Sequence, residues 1–120
     1  MNKPTQKLKI KPILSKKDGV KAGETWTIND ALTRGHKSSI TKRKGNEFEH
    51  IPRTHKPFTR GRKNIKLQEN PQKDDNRDCF ILPKVQTSKV KDLGKKQNEP
   101  ITNPIDKSII RHLKKEHKKR

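Results

Sequence analysis

The stretch 34–67, RGHKSSITKRKGNEFEHIPRTHKPFTRGRKNIKL, decides how this chain is read. It holds eleven Lys and Arg against two acids, Glu47 and Glu49, and Gly35, Gly45, Pro52, Pro57 and Gly61 interrupt any long helix or strand. It therefore reads as a basic loop. Five of the eight arginines of the chain fall inside it, Arg34, Arg43, Arg53, Arg60 and Arg62. A guanidinium forks onto phosphate and stacks on bases, so these arginines, with Lys42, Lys44, Lys56 and Lys63, are the candidate nucleic-acid contacts. Phe58 beside Arg60-Gly61-Arg62 adds one aromatic face to two forks around a pliant residue, a set suited to irregular RNA. His36, His50 and His55 read as further hydrogen-bonding or stacking groups of this centre.

Composition extends the same reading outward. The 120 residues carry 32 Lys and Arg against 13 Asp and Glu, a net charge of +19, with only 24% apolar residues. Successive forty-residue thirds net +6, +5 and +8, so charge is spread along the chain. So basic a chain cannot neutralise itself internally, and nucleic acid is the commonest polyanion that would do so. Low hydrophobicity with high net charge also leaves little burial to offset conformational entropy. The expected fold class is mostly irregular and extended, largely disordered when free, with short helices and no substantial core.

By composition the chain divides into a basic arm with a short docking element (1–33), the Arg-rich loop (34–67), a polar linker with an acidic cluster (68–78), an apolar docking segment (79–93), and a linker followed by a basic amphipathic helix (94–120). Residues 7–14 alternate apolar and basic up to Pro12 and read as a short strand or extended arm. Residues 27–34 allow a short helix closed by Gly35, although Thr25 to Ile28 would suit a strand equally well. Trp26 reads as the anchor of a hydrophobic contact. Phe80, Ile81 and Leu82 follow Cys79 in the longest apolar run, which suits a docking peptide or a local cluster with Val85.

The C-terminal helix is expected over about 104–117. Asn103 can cap it, Pro104 suits its first position and Asp106 favours its positive end. Ile105, Ile109 and Leu113 recur every four residues and form an apolar stripe that reads as a protein-docking face.

Catalytic chemistry is not legible. Cys79 lies between Asp78 and Phe80, where a thiol is not activated, and it rules out an internal disulfide framework. The histidines do not form a metal-ligand pattern, no phosphate loop or dinucleotide fingerprint occurs, and no run is long enough for a membrane span. No cofactor, metal or small-molecule substrate is expected. The sequence points to a non-enzymatic RNA-binding component of a large ribonucleoprotein, of ribosomal or ribosome-assembly type, threading along rRNA-like structure beside protein subunits of the same particle. The alternatives are a protein of chromatin or the DNA backbone, and a structural peptide docked on an acidic protein surface. The clusters Lys42-Arg43-Lys44 and 114–120 read as a nuclear or nucleolar address, with cytoplasm or mitochondrion as alternatives.

Overall fold

In a computed structural model, which describes residues 19–119, the stretch read as loop is the centre of a β-sheet. Strands β1 (Thr25–Ile28), β2 (Lys37–Lys44) and β3 (Glu47–Thr54) form an antiparallel meander. Its breakers fall at tolerated positions. Gly45 occupies the β2–β3 turn, and Pro52 lies near the end of β3, where Ser38 is its partner across the ladder. The remaining strands are β4 (Phe58–Thr59), β5 (Arg62–Lys63), β6 (Ile65–Lys66), β7 (Phe80–Ile81), β8 (Gln86–Lys89) and β9 (Leu93–Gln97), followed by helix α1 (Pro104–Lys118).

The topology forces the sheet to curl. Strand β8 pairs with β3 and β9 pairs with β1, so these two strands lie on opposite edges of the meander. Only the 3₁₀ turn Val90–Asp92 joins them. Three such residues span about 6 Å, whereas four strand spacings in a flat sheet span about 19 Å. The edges must therefore approach each other, giving a small, partly open barrel with the connectivity of SH3-like barrels. That architecture serves many unrelated functions and argues for none by itself.

The expectation of a mostly irregular chain without a core is thus corrected, and with it the expected disorder. Alternation along β3 sends Phe48 to one face and Ile51 to the other, and each face has its own core. Val20, Trp26, Ile28, Ile40, Phe48 and Leu93 fill the barrel. Ile51, Leu67, Cys79, Ile81, Val85 and Leu113 form a second cluster, covered by α1 and the segment between β6 and β8. The apolar residues are few but concentrated.

Polar side chains complete the interior. Ser38, Ser39, Thr41, His50, Arg53 and Asp106 are all buried, and mean hydropathy counts every one of them against a core. Buried polar groups are tolerated when hydrogen-bonded. His50 sits between Ser38 and Ser88, Arg53 reaches Thr25, Ser39 and Glu99, and the Asp106 carboxylate accepts from the backbone N–H groups of Gln68 and Glu69.

The short helix read over 27–34 is absent. Thr25 to Ile28 is strand and the following residues turn back toward β2, because β1 is held between β2 and β9. Helix α1 forms where its caps indicated, with the Asn103 side chain accepting from the N–H groups of Ile105 and Asp106. The arm read at residues 7–14 lies outside the described residues.

Candidate nucleic-acid interface

A trough runs across the end of the barrel where the β1–β2 loop, the end of β3 and the β4–β5 hairpin meet. One half is a cleft of about 260 Å³ whose charged lining is Arg34, Arg53, Lys56 and Arg60, with no carboxylate among its lining residues. Thr54 and Thr59 line the same wall. The other half, about 240 Å³, lies alongside and shares His36, Arg53 and Thr54 with the first. It adds His55, Lys37, Glu99 and Cys79.

Two arginines of the cationic cleft stand in left-handed backbone conformations. Arg34 has φ 53° and is followed by Gly35 at 80°; Arg60 has φ 52° and is followed by Gly61 at 77°. A side chain with a Cβ is disfavoured there, and the two-residue β4–β5 hairpin at Arg60-Gly61 is of the kind that favours Asn-Gly. The two Arg-Gly turns thus hold strained arginines at positions lining one cleft. Such strain concentrates at functional sites. Among the described residues no acid forms an ion pair with Arg34, Lys56, Arg60, Arg62 or Lys63.

Arg53 has a different role from its neighbours. Its side chain is buried, Nε donates to Ser39 Oγ at 3.1 Å, and Nη2 donates to Thr25 Oγ1 at 2.6 Å and the Glu99 carbonyl at 2.9 Å. Burial lowers its pKa, while the Glu99 carboxylate acts the other way. Lys37 Nζ meets Glu99 Oε2 at 2.8 Å and also donates to Gln72. Glu99 therefore ties two cations into the trough wall.

His55 Nε2 lies 2.9 Å from Asp75 Oδ2. Asp75 also accepts from Arg77, first through its side chain and then its backbone N–H, and these bonds hold its carboxyl below the usual carboxylate range. The acidic linker thus contributes an orienting group to the trough. Burial pushes the Cys79 thiol up, so it stays protonated.

The remaining sequence-derived residues scatter. Arg62, Lys63 and the 57% exposed Phe58 sit on the β4–β5 hairpin beside the trough. Lys42, Arg43 and Lys44 lie at the far end of β2, about 20 Å along the strand from Lys37. There Arg43 donates to the Gly45 carbonyl and Lys44 pairs with Glu49. Of the docking residues, Trp26 and Ile81 are in the two cores and Leu113 packs with the second. Phe80, Leu82 and Ile109 are half-buried, and Ile105 is exposed.

Of the residues that line or orient the trough, sequence reasoning named the arginines but not Thr54, Asp75 and Glu99. Glu99 is 46 residues from Arg53, a separation with no local signal. Among the described residues no group of three His, Cys, Asp or Glu is arranged to hold a metal, and no helix is long and apolar enough to cross a membrane. The chain matches no protein-family model and no curated protein.

Proposed function

We propose that this chain is an RNA-binding module of a ribonucleoprotein, gripping single-stranded RNA by its phosphates in the trough. The observation that carries this reading is the cleft in which Arg34, Lys56 and Arg60 form no ion pair among the described residues and no carboxylate joins the lining, with Arg34 and Arg60 in strained conformations. A cleft this size fits splayed nucleotides better than a duplex groove. Sequence-specific RNA recognition uses such unpaired segments, with aromatic faces such as Phe58 available for stacking. Because the fold is compact, the RNA contact is local and does not require the chain to thread through a particle.

Fluorescence anisotropy with a labelled single-stranded RNA tests it. With three to four phosphates engaged, log K should fall against log salt with a slope of about −2 to −3. Replacing Arg34 and Arg60 together with Ser should weaken binding at least about tenfold, since two forks are lost with their charges. Replacing the exposed Lys115, Lys118 and Lys119 with Ser removes more charge and should weaken it less. A larger loss from the tail variant, or preference for an acidic protein over RNA, would overturn the reading.

A further inference from the structure

The second half of the trough contains side chains that the fold does not use. Lys37, Arg53, Asn70, Gln72 and Glu99 are all engaged in hydrogen bonds or ion pairs within the chain, and the Thr27 hydroxyl accepts from Lys95 N–H. His36 and His55 differ. His36 is exposed and makes no side-chain hydrogen bond given by the structure, and His55 uses one ring nitrogen, leaving the other open. Both residues line the same 240 Å³ cleft, which adjoins the cationic one.

This pairing has a chemical meaning next to RNA. RNA carries its own nucleophile, the 2′-hydroxyl, so strand scission by internal transesterification needs a base, an acid and stabilisation of the phosphorane charge. The carboxylate of Asp75 can only accept, so the proton of neutral His55 resides on Nε2 and Nδ1 is the free acceptor. A carboxylate fixing the tautomer of a histidine is the arrangement that prepares a general base. His36 is then the donor, and Arg34 and Arg60 are the cations for the phosphate.

We propose that the trough cleaves single-stranded RNA by metal-independent transesterification, with His55 as general base and His36 as general acid. The 2′-oxygen forms a bond to phosphorus as its proton passes to His55 Nδ1. The bond from phosphorus to the 5′-oxygen breaks, and that oxygen takes a proton from His36. The products are a 2′,3′-cyclic phosphate and a 5′-hydroxyl, with no oxidant, water or co-reactant consumed. The proposal rests on the RNA-binding reading and departs from the non-enzymatic expectation of the sequence. The two histidines are nineteen positions apart, and only the β2–β3 meander brings them to one cleft.

The test uses the full chain, 5′-labelled single-stranded RNA, and the same RNA fully 2′-O-methylated, all in EDTA. Unmodified RNA should be cut to fragments ending in 2′,3′-cyclic phosphate, and methylated RNA should be bound intact. His36→Ala and His55→Ala should each lose about 10² to 10⁴-fold in cleavage rate, a loss far larger than any change in their affinity for methylated RNA. Both side chains are at the surface, and a thermal melt checks that each variant is folded. RNA bound but left whole, cleavage that needs an added divalent cation, or cleavage indifferent to both substitutions would overturn the activity and leave RNA binding standing. Failure to bind the methylated RNA at all would overturn both readings.

Discussion

His50 Nε2 lies 2.8 Å from Ser88 Oγ, and Ser88 in turn donates its proton to the Asp30 carboxylate. Ser88 Oγ is therefore the acceptor toward the ring, which places the His50 proton on Nε2 and leaves Nδ1 to accept from Ser38 Oγ at 3.0 Å. A second proton on Nδ1 would turn Ser38 Oγ into the acceptor and place a full charge on a buried ring. Burial accordingly lowers the His50 pKa from 6.5 to about 4, with the Asp30 charge opposing only in part. Burial alone would raise the Asp30 pKa, but its bonds from Ser88 and Thr33 outweigh this and lower it.

Stability should therefore depend on pH through His50. Between pH 6.5 and 4 the unfolded chain binds a proton that the folded chain refuses, so the contribution is fully present above 6.5 and is lost as pH falls to 4. The loss amounts to about 3 kcal/mol. Urea unfolding at a series of pH values in that window checks it. His50→Gln should flatten the dependence, and an unchanged slope in that variant would assign the effect to other groups.

Arg53 should behave as a structural residue. Removing Arg53 empties a buried site, strips Ser39 Oγ and Thr25 Oγ1 of a donor and leaves Glu99 to Lys37 alone, so Arg53→Ala should cost about 3 kcal/mol or more. Arg53→Lys should rescue little, because an ammonium cannot reproduce donation from Nε to Ser39 and from Nη2 to Thr25 and the Glu99 carbonyl. Denaturant midpoints of the two variants measure this directly. A near-neutral Arg53→Ala would show that the buried network contributes nothing.

The helix makes a related case. Leu113 is 8% exposed within the second core, and Asp106 bonds two N–H groups of the segment after β6. Leu113→Ala should cost about 2 to 4 kcal/mol in the isolated chain, as cavity formation in a core does. Asp106→Ala should cost about 2 kcal/mol by orphaning buried donors. Were α1 a docking helix for a partner, as its stripe first reads, neither change would move the unfolding midpoint of the free protein.

These residues also mark how far the sequence could be read. Helix caps are local, so Asn103, Pro104 and Asp106 gave away α1 without tertiary information. The strands did not announce themselves, because β2 buries Ser38, Ser39 and Thr41 and β3 buries His50 and Arg53 where an apolar alternation would be expected. Their partners lie as far off as Glu99 and Ser88. The rim arginines were legible as chemistry because a guanidinium's fork suits phosphate, whereas the burial that removes Arg53 from that role was not. That Arg34 and Arg60 line one cleft, and that His36 and His55 line its neighbour, follows only from the way the meander returns on itself.

Close approach of strands gives a further measurable consequence. A Cβ placed on Gly94 would collide with the Thr27 hydroxyl and press on the Thr27 carbonyl at 3.2 Å. The hydroxyl cannot simply swing away, since it accepts from Lys95 N–H across the β1–β9 pair. Gly94→Ala should destabilise by about 1 to 3 kcal/mol, read by thermal unfolding. Wild-type stability would mean that β9 can shift without loss.

On the proposed RNA-binding reading, the strain at Arg60 sets stability and affinity in opposition. An L-residue in the left-handed region costs roughly 1 to 2 kcal/mol, and Asn tolerates it better than Arg. At φ 52° before Gly61, Arg60→Asn converts the β4–β5 turn into the favoured Asn-Gly pair without touching either core. The variant should gain about 0.5 to 1 kcal/mol, a rise of a few degrees in Tm. Its RNA affinity should fall, because the cleft loses one of the three charges it holds apart from the Arg53–Glu99 pair. Calorimetry and anisotropy on the same preparation decide the matter. A variant both more stable and equally tight would show that Arg60 is not held in that turn for RNA, and a less stable one would show that the Arg side chain supports the hairpin.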